Sequence, residues 1–167
     1  ISIPSINQIM QTYEIPISWQ VPSIIIITLI YKGEIVIKAF SIYLFIGLFL
    51  IPVFQNGGSL GYILTPNFGY LLGIYPLIKF IDKLNIKNNK INFNELLKYG
   101  ILGICSMHLL GIIYSCIQMM YFKQSDMFSY NISKYSLGKI LYHLLMLTPI
   151  SLLTKLINKY RLDNDVK

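Results

Sequence analysis

Between Ile35 and Ile78 the chain carries a single charge, Lys38, in 44 positions. The run reads IVIKAFSIYLFIGLFLIPVFQNGGSLGYILTPNFGYLLGIYPLI. A soluble domain has no use for so long an uncharged stretch. A bilayer requires one, because a spanning helix needs about 20 apolar residues at roughly 1.5 Å of rise each. The middle of the run is polar, uncharged and rich in glycine. The pattern predicts two spanning helices joined by a shaped neutral loop, a suitable floor or lid for a neutral ligand.

The rest of the chain agrees. Hydrophobic residues make up 54% and charged residues only 13%, about half the usual globular share. This composition predicts a single all-α integral membrane domain over residues 1–167. A net charge of +7 could suggest nucleic acid, but the basic residues flank apolar runs, and no aromatic-interleaved basic patch is present. We expect a loop over 1–14 and five spans at about 17–31, 35–54, 68–80, 96–122 and 137–157. The segments 82–95 and 123–134 read as aqueous loops, and the last ten residues as an aqueous tail.

Charge placement orients these spans. Of the fourteen basic residues, all but Lys123, Lys134 and Lys139 fall at the turn near Lys32, around the 82–95 loop or at the tail. By the positive-inside rule that side is cytoplasmic, or its equivalent, and the neutral loop faces out. Five spans then put Ile1 outside, which leads us to expect an earlier helix and a six-helix parent. Gly47, Gly73, Gly103 and Gly111 are candidates for close helix contacts. Cys105 and Cys116 are eleven residues apart on one helix, roughly 16 Å along its axis. That distance excludes a disulfide, and both read as buried packing residues.

Enzyme signatures are scarce. His108 and His143 are the only histidines, and they stand far apart in sequence. There is no HExxH pair, no glycine–lysine phosphate loop and no G-x-S-x-G turn. No acid lies in mid-span, where proton-coupled transport generally needs an ionisable group. The residues predict passive recognition of a small ligand, with no catalytic residue, metal or cofactor. The candidates cluster at the outer side. Trp19 and Gln20 open the first visible helix, and Phe54 ends the second. Asn56, Gly57, Gly58, Gly61, Tyr62, Pro66, Asn67, Gly69 and Tyr70 form or flank the neutral loop. His143 lies about two turns into the last helix. Amide, imidazole and phenol groups can satisfy a ligand that has both donors and acceptors, and the aromatic rings offer flat packing surfaces. Glycines there permit backbone conformations that other residues resist. The plainer readings are interfacial anchoring for Trp and Tyr, helix capping for Gln20 and Asn67, and hydrogen-bonded packing for His108.

The order of residues carries a resemblance. Ile51-Pro52-Val53-Phe54, Gly57-Gly58, Gly61-Tyr62 and Thr65-Pro66-Asn67-Phe68-Gly69-Tyr70-Leu71-Leu72-Gly73 resemble the signature of the BioY family. That signature is a G-L-P-V-F turn, a glycine loop and G-P-T-G-G-Y-L-L-G-F. Ile17-Ser18-Trp19-Gln20 is similar to the family's P-I-T-L-Q, and His108–Gly111 to an I-H-x-x-G run. The F-G-Y-L-L-G variant looks like the cyanobacterial or plastid branch.

The resemblance implies the biotin-binding S component of an energy-coupling factor (ECF) vitamin transporter. It implies six helices with both ends cytoplasmic and a biotin pocket near the outer face. It also implies a transmembrane coupling subunit and two ATPase subunits as partners, in a cell inner or plasma membrane or a plastid membrane. The family's P-G-D-L-L-K aligns with Leu141–Met146, so His143 stands for the acid and Met146 for the lysine. An alignment on Pro149-Ile150-Ser151 would place the site deeper. A neutral imidazole lacks the charge that roughly doubles the strength of such a hydrogen bond. Under this reading His143, Gln20 and Asn67 meet the ureido group, and Trp19, Phe54, Tyr62 and Tyr70 pack the bicycle. Lys139 is the one cation near the carboxylate. The contrasting reading is a membrane scaffold that binds no small ligand, or a carrier of another vitamin. A polar, aromatic cavity under the 55–67 loop favours capture, and a solid core there favours the scaffold.

Overall fold

A computed structural model describes residues 2–4, 12–14, 18–54, 58–87, 91–123 and 125–165. Among the described residues, seven α-helices follow a short hairpin. They are α1 (Gln20–Ile30), α2 (Gly33–Phe49), α3 (Pro66–Leu72), α4 (Ile74–Lys87), α5 (Phe93–Phe122), α6 (Ser125–Ile132) and α7 (Gly138–Asp165). The stretches Phe93–Phe122 and Phe128–Leu153 are long and apolar enough to cross a membrane. The expectation of an all-helical chain holds apart from the hairpin. Strand β1 (Ser2–Pro4) pairs antiparallel with β2 (Thr12–Glu14), Ile3 facing Tyr13. The sequence predicts a loop here, but Ile and Tyr favour extended backbone once a partner strand is near.

Several helix limits differ from the expected spans, each for a local reason. α2 stops at Phe49 because Pro52 forces the residue before it out of helical geometry. Leu50 to Phe54 then turn back on the helix. The span expected at 68–80 is two helices divided at Gly73. α4 runs on to Lys87 through residues that read as an aqueous loop. Ile78, Ile81 and Leu84 recur there at three-residue spacing and are buried, while Lys79 and Lys83 point outward. The 123–134 segment likewise contains α6, followed by a π-helical turn, Ser133–Leu137. α7 continues through part of the tail that read as aqueous.

α4 lies at the centre, packed against α1 on one side and α5 on the other, and α7 closes the bundle against α1 and α5. Ile25, Leu29, Leu77, Ile81, Leu96, Ile104 and Leu147 are fully buried there. Large apolar side chains such as Phe45, Leu109, Leu145 and Leu152 cover the outside, as lipid-facing surfaces require. Cys105 belongs to that outward face and is exposed, not buried as expected, while Cys116 is half-buried.

Of the glycines expected at helix contacts, Gly47, Gly103 and Gly111 are seats for side chains of neighbouring segments, and Gly73 admits the backbone of α5. A Cβ on Gly103 would stand 2.6 Å from Leu77, one on Gly100 2.7 Å from Leu147, and one on Gly73 2.6 Å from the Met107 carbonyl oxygen. Carbon atoms in contact prefer about 3.5–4.0 Å, so only glycine lets these helices come so close. At the opposite end of α2 from Phe54, Gly33 donates its N–H to the Asp82 carboxylate of α4 at 2.7 Å. Near the end of α7, Asn158 accepts from the Ile91 N–H at 2.9 Å and donates to its carbonyl at 3.3 Å. These two polar clamps fix the loop end of the bundle away from the cavity described next.

Candidate functional site

Where α1 and α3 begin, α2 ends and the first part of α7 crosses α5, the bundle forms a partly open cavity of about 80 Å³. Six residues expected at a binding site line it: Gln20, Phe54, Tyr62, Asn67, Tyr70 and His143. They come from five separate segments, so the fold brings together groups up to 123 positions apart in the chain.

Glycine seats set the aromatic walls. The Phe54 ring lies on Gly47, where a Cβ would be 2.2 Å from Cζ. From that seat it packs on Tyr62, with ring centroids 4.6 Å apart, and meets Tyr43 edge-on at 5.4 Å. Tyr70 lies across Gly111, where a Cβ would be 2.4 Å from the ring. Gly69 is the reciprocal seat, holding Tyr114 of α5 against α3, and the Tyr114 hydroxyl donates to the Ile63 carbonyl. Burial raises the Tyr62 phenol above its ordinary value, and a hydrogen bond with Asn67 works against that rise. Tyr62 therefore remains a neutral hydroxyl at physiological pH.

The connection between α2 and α3 is held by a strained residue. Ser59 has φ 96° and ψ 167°, a region that is essentially glycine's own. Its N–H donates to the Gly47 carbonyl at 3.1 Å, and its carbonyl accepts from Tyr62 N–H at 2.9 Å. The sequence reading gave the unusual backbone to the glycines. Among the described residues of this loop, a serine carries it. Gly58 instead provides close approach: a Cβ there would meet the Gly47 carbonyl and Pro52 Cα, each at 2.6 Å.

The polar side of the cavity is a chain of hydrogen bonds. His143 Nδ1 lies 3.1 Å from His108 Nε2. His108 Nδ1 lies 3.4 Å from Ser136 Oγ, which is 2.7 Å from the Tyr70 hydroxyl. His143 is 4% exposed, yet its Nε2 has no hydrogen-bond partner among the described residues. A buried polar atom left unpaired is costly; this one belongs to a ring on the cavity wall but has almost no accessible surface of its own. Lys139 also lines the cavity, its Nζ 5.3 Å from the Tyr135 ring centroid.

Other expected site residues lie elsewhere. Trp19 is 62% exposed and lies off the cavity; it caps the start of α1, and its neighbours Ser18 and Gln20 line the cavity instead. Pro66 opens α3 but faces a second hollow beside Leu64 and Gln118. Gly58 and Gly69 support the walls without lining them. Asn56 and Gly57 lie outside the described residues. His143 lines the cavity, whereas the Ser151 hydroxyl two turns further on bonds the Thr148 carbonyl of its own helix.

Sequence reasoning missed Tyr43, Tyr135 and Ser136, and gave His108 to packing alone. A signal for His108 was present. It lies four residues after Ile104 and three before Gly111, on the face of α5 that the glycines mark as inward.

No curated protein and no solved structure matches the chain. A family model, the BioY family, matches residues 1–159. That is nearly the whole length, and it includes every element of the cavity. The chain therefore belongs to the BioY family, membrane transport components of the biotin-transporter S type that are not enzymes.

Proposed function

We propose that this chain is the substrate-capture subunit of a biotin ECF transporter, with the cavity as the vitamin site. One observation carries the reading. A ring with a buried nitrogen that has no partner among the described residues, His143, lines the same small space as Gln20, Asn67, Phe54, Tyr62 and Tyr70. Biotin asks for this combination: a ureido ring with two donors and one acceptor, an apolar sulfur ring, and a carboxylated tail. His143, Gln20 and Asn67 serve the ureido group, the aromatic rings pack the bicycle, and Lys139 offers the charge for the carboxylate.

The cavity holds only a handful of waters, since one water needs about 10–15 Å³. Admission of a vitamin goes with outward movement of Phe54 and Tyr62, which sit on the connection between α2 and α3 and not on the long helices. Their displacement is local, because α4 and α5 beneath them are held by the glycine contacts.

The chain acts as one membrane domain of five spans, with α3 and α4 together making the third. α1 is about 16 Å long. Its lysine-rich loops and tail lie on the cytoplasmic or equivalent side. Transport relies on a coupling subunit and two ATPase subunits, since the sequence carries no phosphate-binding loop. Saturable binding of radiolabelled biotin by the purified protein, displaced by unlabelled biotin but not by thiamine or riboflavin, is the expected result. Absence of saturable binding overturns the proposal, and displacement by another vitamin reassigns the substrate.

A further inference from the structure

The seam between α2 and α4 is fixed at two points. At the loop end, the Gly33 N–H donates to the Asp82 carboxylate at 2.7 Å. Further into the bundle, Ser41 Oγ lies 2.9 Å from the Tyr75 hydroxyl. Residue number rises along α2 and falls along α4 between these contacts, so the helices run antiparallel. Lys38 and Lys79 stand between the two contacts, and both are exposed. Lys38 is about 7.5 Å along α2 from Gly33, and Lys79 about 4.5 Å along α4 from Asp82. The two lysines therefore leave adjacent helices at nearly one level. Lys32 and Lys83, also exposed, flank the Gly33–Asp82 contact. Two acids share this end of the seam, Glu34 and Asp82, and the Asp82 carboxylate is taken into the Gly33 contact.

Beyond Lys38 the outward face of α2 is apolar. Ile42, Phe45 and Phe49 follow at intervals of four, three and four residues, which keeps them on one side of a helix. Each is more than half exposed, and the Phe45 and Phe49 rings meet with centroids 5.0 Å apart. From Lys38 to Phe49 the stripe runs about 16 Å. That is close to half of the roughly 30 Å hydrocarbon core, the depth of one leaflet. Cations at one end and one leaflet of apolar surface behind them match the outline of a single lipid.

We propose that the α2–α4 seam binds an anionic phospholipid. Lys38 and Lys79 supply cations to its phosphate from two helices, their stems lying along apolar surface while the ammonium groups stay at headgroup level. The Ser41–Tyr75 hydroxyl pair lies just below, at the depth of the glycerol esters. The tails follow Ile42, Phe45 and Phe49. A soluble anion would use the lysines alone, so the stripe is what assigns the surface to a lipid. The site is separate from the cavity and does not depend on which ligand the cavity takes.

Native mass spectrometry of the full chain tests this. The protein is purified in mild detergent with equimolar phosphatidylglycerol and phosphatidylcholine of identical tails, and the lipids that stay bound are counted. Wild type is expected to retain phosphatidylglycerol preferentially. A lysine beside an anionic headgroup contributes about fivefold in affinity. Lys38→Gln with Lys79→Gln is therefore expected to cut the preference about tenfold or more. The control, Lys98→Gln with Lys159→Gln, removes the same charge from α5 and α7 and is expected to leave the preference unchanged. Phe45→Ser with Phe49→Ser is expected to lower retention of both lipids and keep their ratio.

All six positions are exposed, so the core is left intact, and size-exclusion chromatography checks each variant for folding. No preference in wild type, or an equal loss in the control, overturns the site. Retention that the serine pair leaves unchanged overturns the assignment of the stripe to lipid tails. A dimer formed in place of lipid retention also overturns it, and gives the stripe to a second copy of the chain.

Discussion

Replacing Gly47 by alanine tests how the fold shapes its site. The added Cβ would lie 2.2, 2.4 and 2.6 Å from Phe54 Cζ, Cε1 and Cε2. Contact at about 3.5–4.0 Å requires the ring to retreat by more than 1 Å. The backbone of α2 is held by its neighbours, so the ring moves and the helix stays. Overpacking costs about 1–3 kcal/mol. Alanine recovers about 1 kcal/mol of helix propensity over glycine, leaving a net stability loss of about 0–2 kcal/mol. Binding suffers more visibly, because Phe54 carries Tyr62 with it at 4.6 Å. We expect Gly47→Ala to weaken biotin about tenfold, which is about 1.4 kcal/mol, while the melting temperature falls only slightly. The control is Gly61→Ala, where the nearest atom to the new Cβ is Ser59 Oγ at 3.6 Å, an ordinary contact. Equilibrium binding and thermal melting in one detergent measure both quantities. Unchanged affinity in Gly47→Ala, or an equal loss in Gly61→Ala, would refute the reasoning that Phe54 is seated by Gly47.

Four further outcomes are expected. Gly73→Ala places a Cβ 2.6–2.7 Å from Met107 backbone atoms, which cannot swing aside, so it should cost about 3 kcal/mol or more and lower the folded yield on size-exclusion chromatography. Ser59→Gly should raise thermal stability by about 1 kcal/mol, because relief of about 1–3 kcal/mol of backbone strain outweighs the extra freedom of the unfolded chain; a melting temperature that falls would contradict the strain. Asp82→Ala removes the acceptor at the start of α2 and should cost about 1–2 kcal/mol, with faster amide exchange at Gly33 as the specific sign. The buried Tyr62 phenol has a raised pKa, so its contribution is present below the unfolded value of about 10 and is lost as pH rises beyond it; Tyr62→Phe should therefore flatten the alkaline limb of the stability profile.

What could be read from the sequence was what short-range pattern encodes. The uncharged run gave α2 and the α3–α4 pair, since no other arrangement removes so much apolar surface from water. Glycines inside apolar runs gave helix contacts, because a residue without a side chain is worth keeping there only for close approach. Gln20, Phe54, Tyr62, Asn67, Tyr70 and His143 were legible as polar or aromatic residues at one depth. Trp19 was misplaced because depth does not determine direction: one residue of rotation separates the cavity from the exterior. α6 and the Ser133–Leu137 turn were not legible, since a short polar helix has no pattern strong enough to stand out. With that turn went Ser136 and Tyr135, which reach the site only through its π-helical geometry.

The histidines show most clearly why a site can be half visible in sequence. His143 stood out for its position near the start of a spanning helix. His108, in an ordinary run of MHLLG, looked like a core residue, and by burial it is one at 2% exposed. Its importance comes from what lies across the helix interface, where His143 takes one of its nitrogens and Ser136 the other. That partnership depends on α5 and α7 meeting closely, and they do so because Gly100 gives Leu147 a seat one turn beyond His143. A glycine two turns away from His108 thus sets the spacing at which two imidazoles can share a hydrogen. Sequence names the parts of such an arrangement, but the helix contact decides which nitrogens are paired.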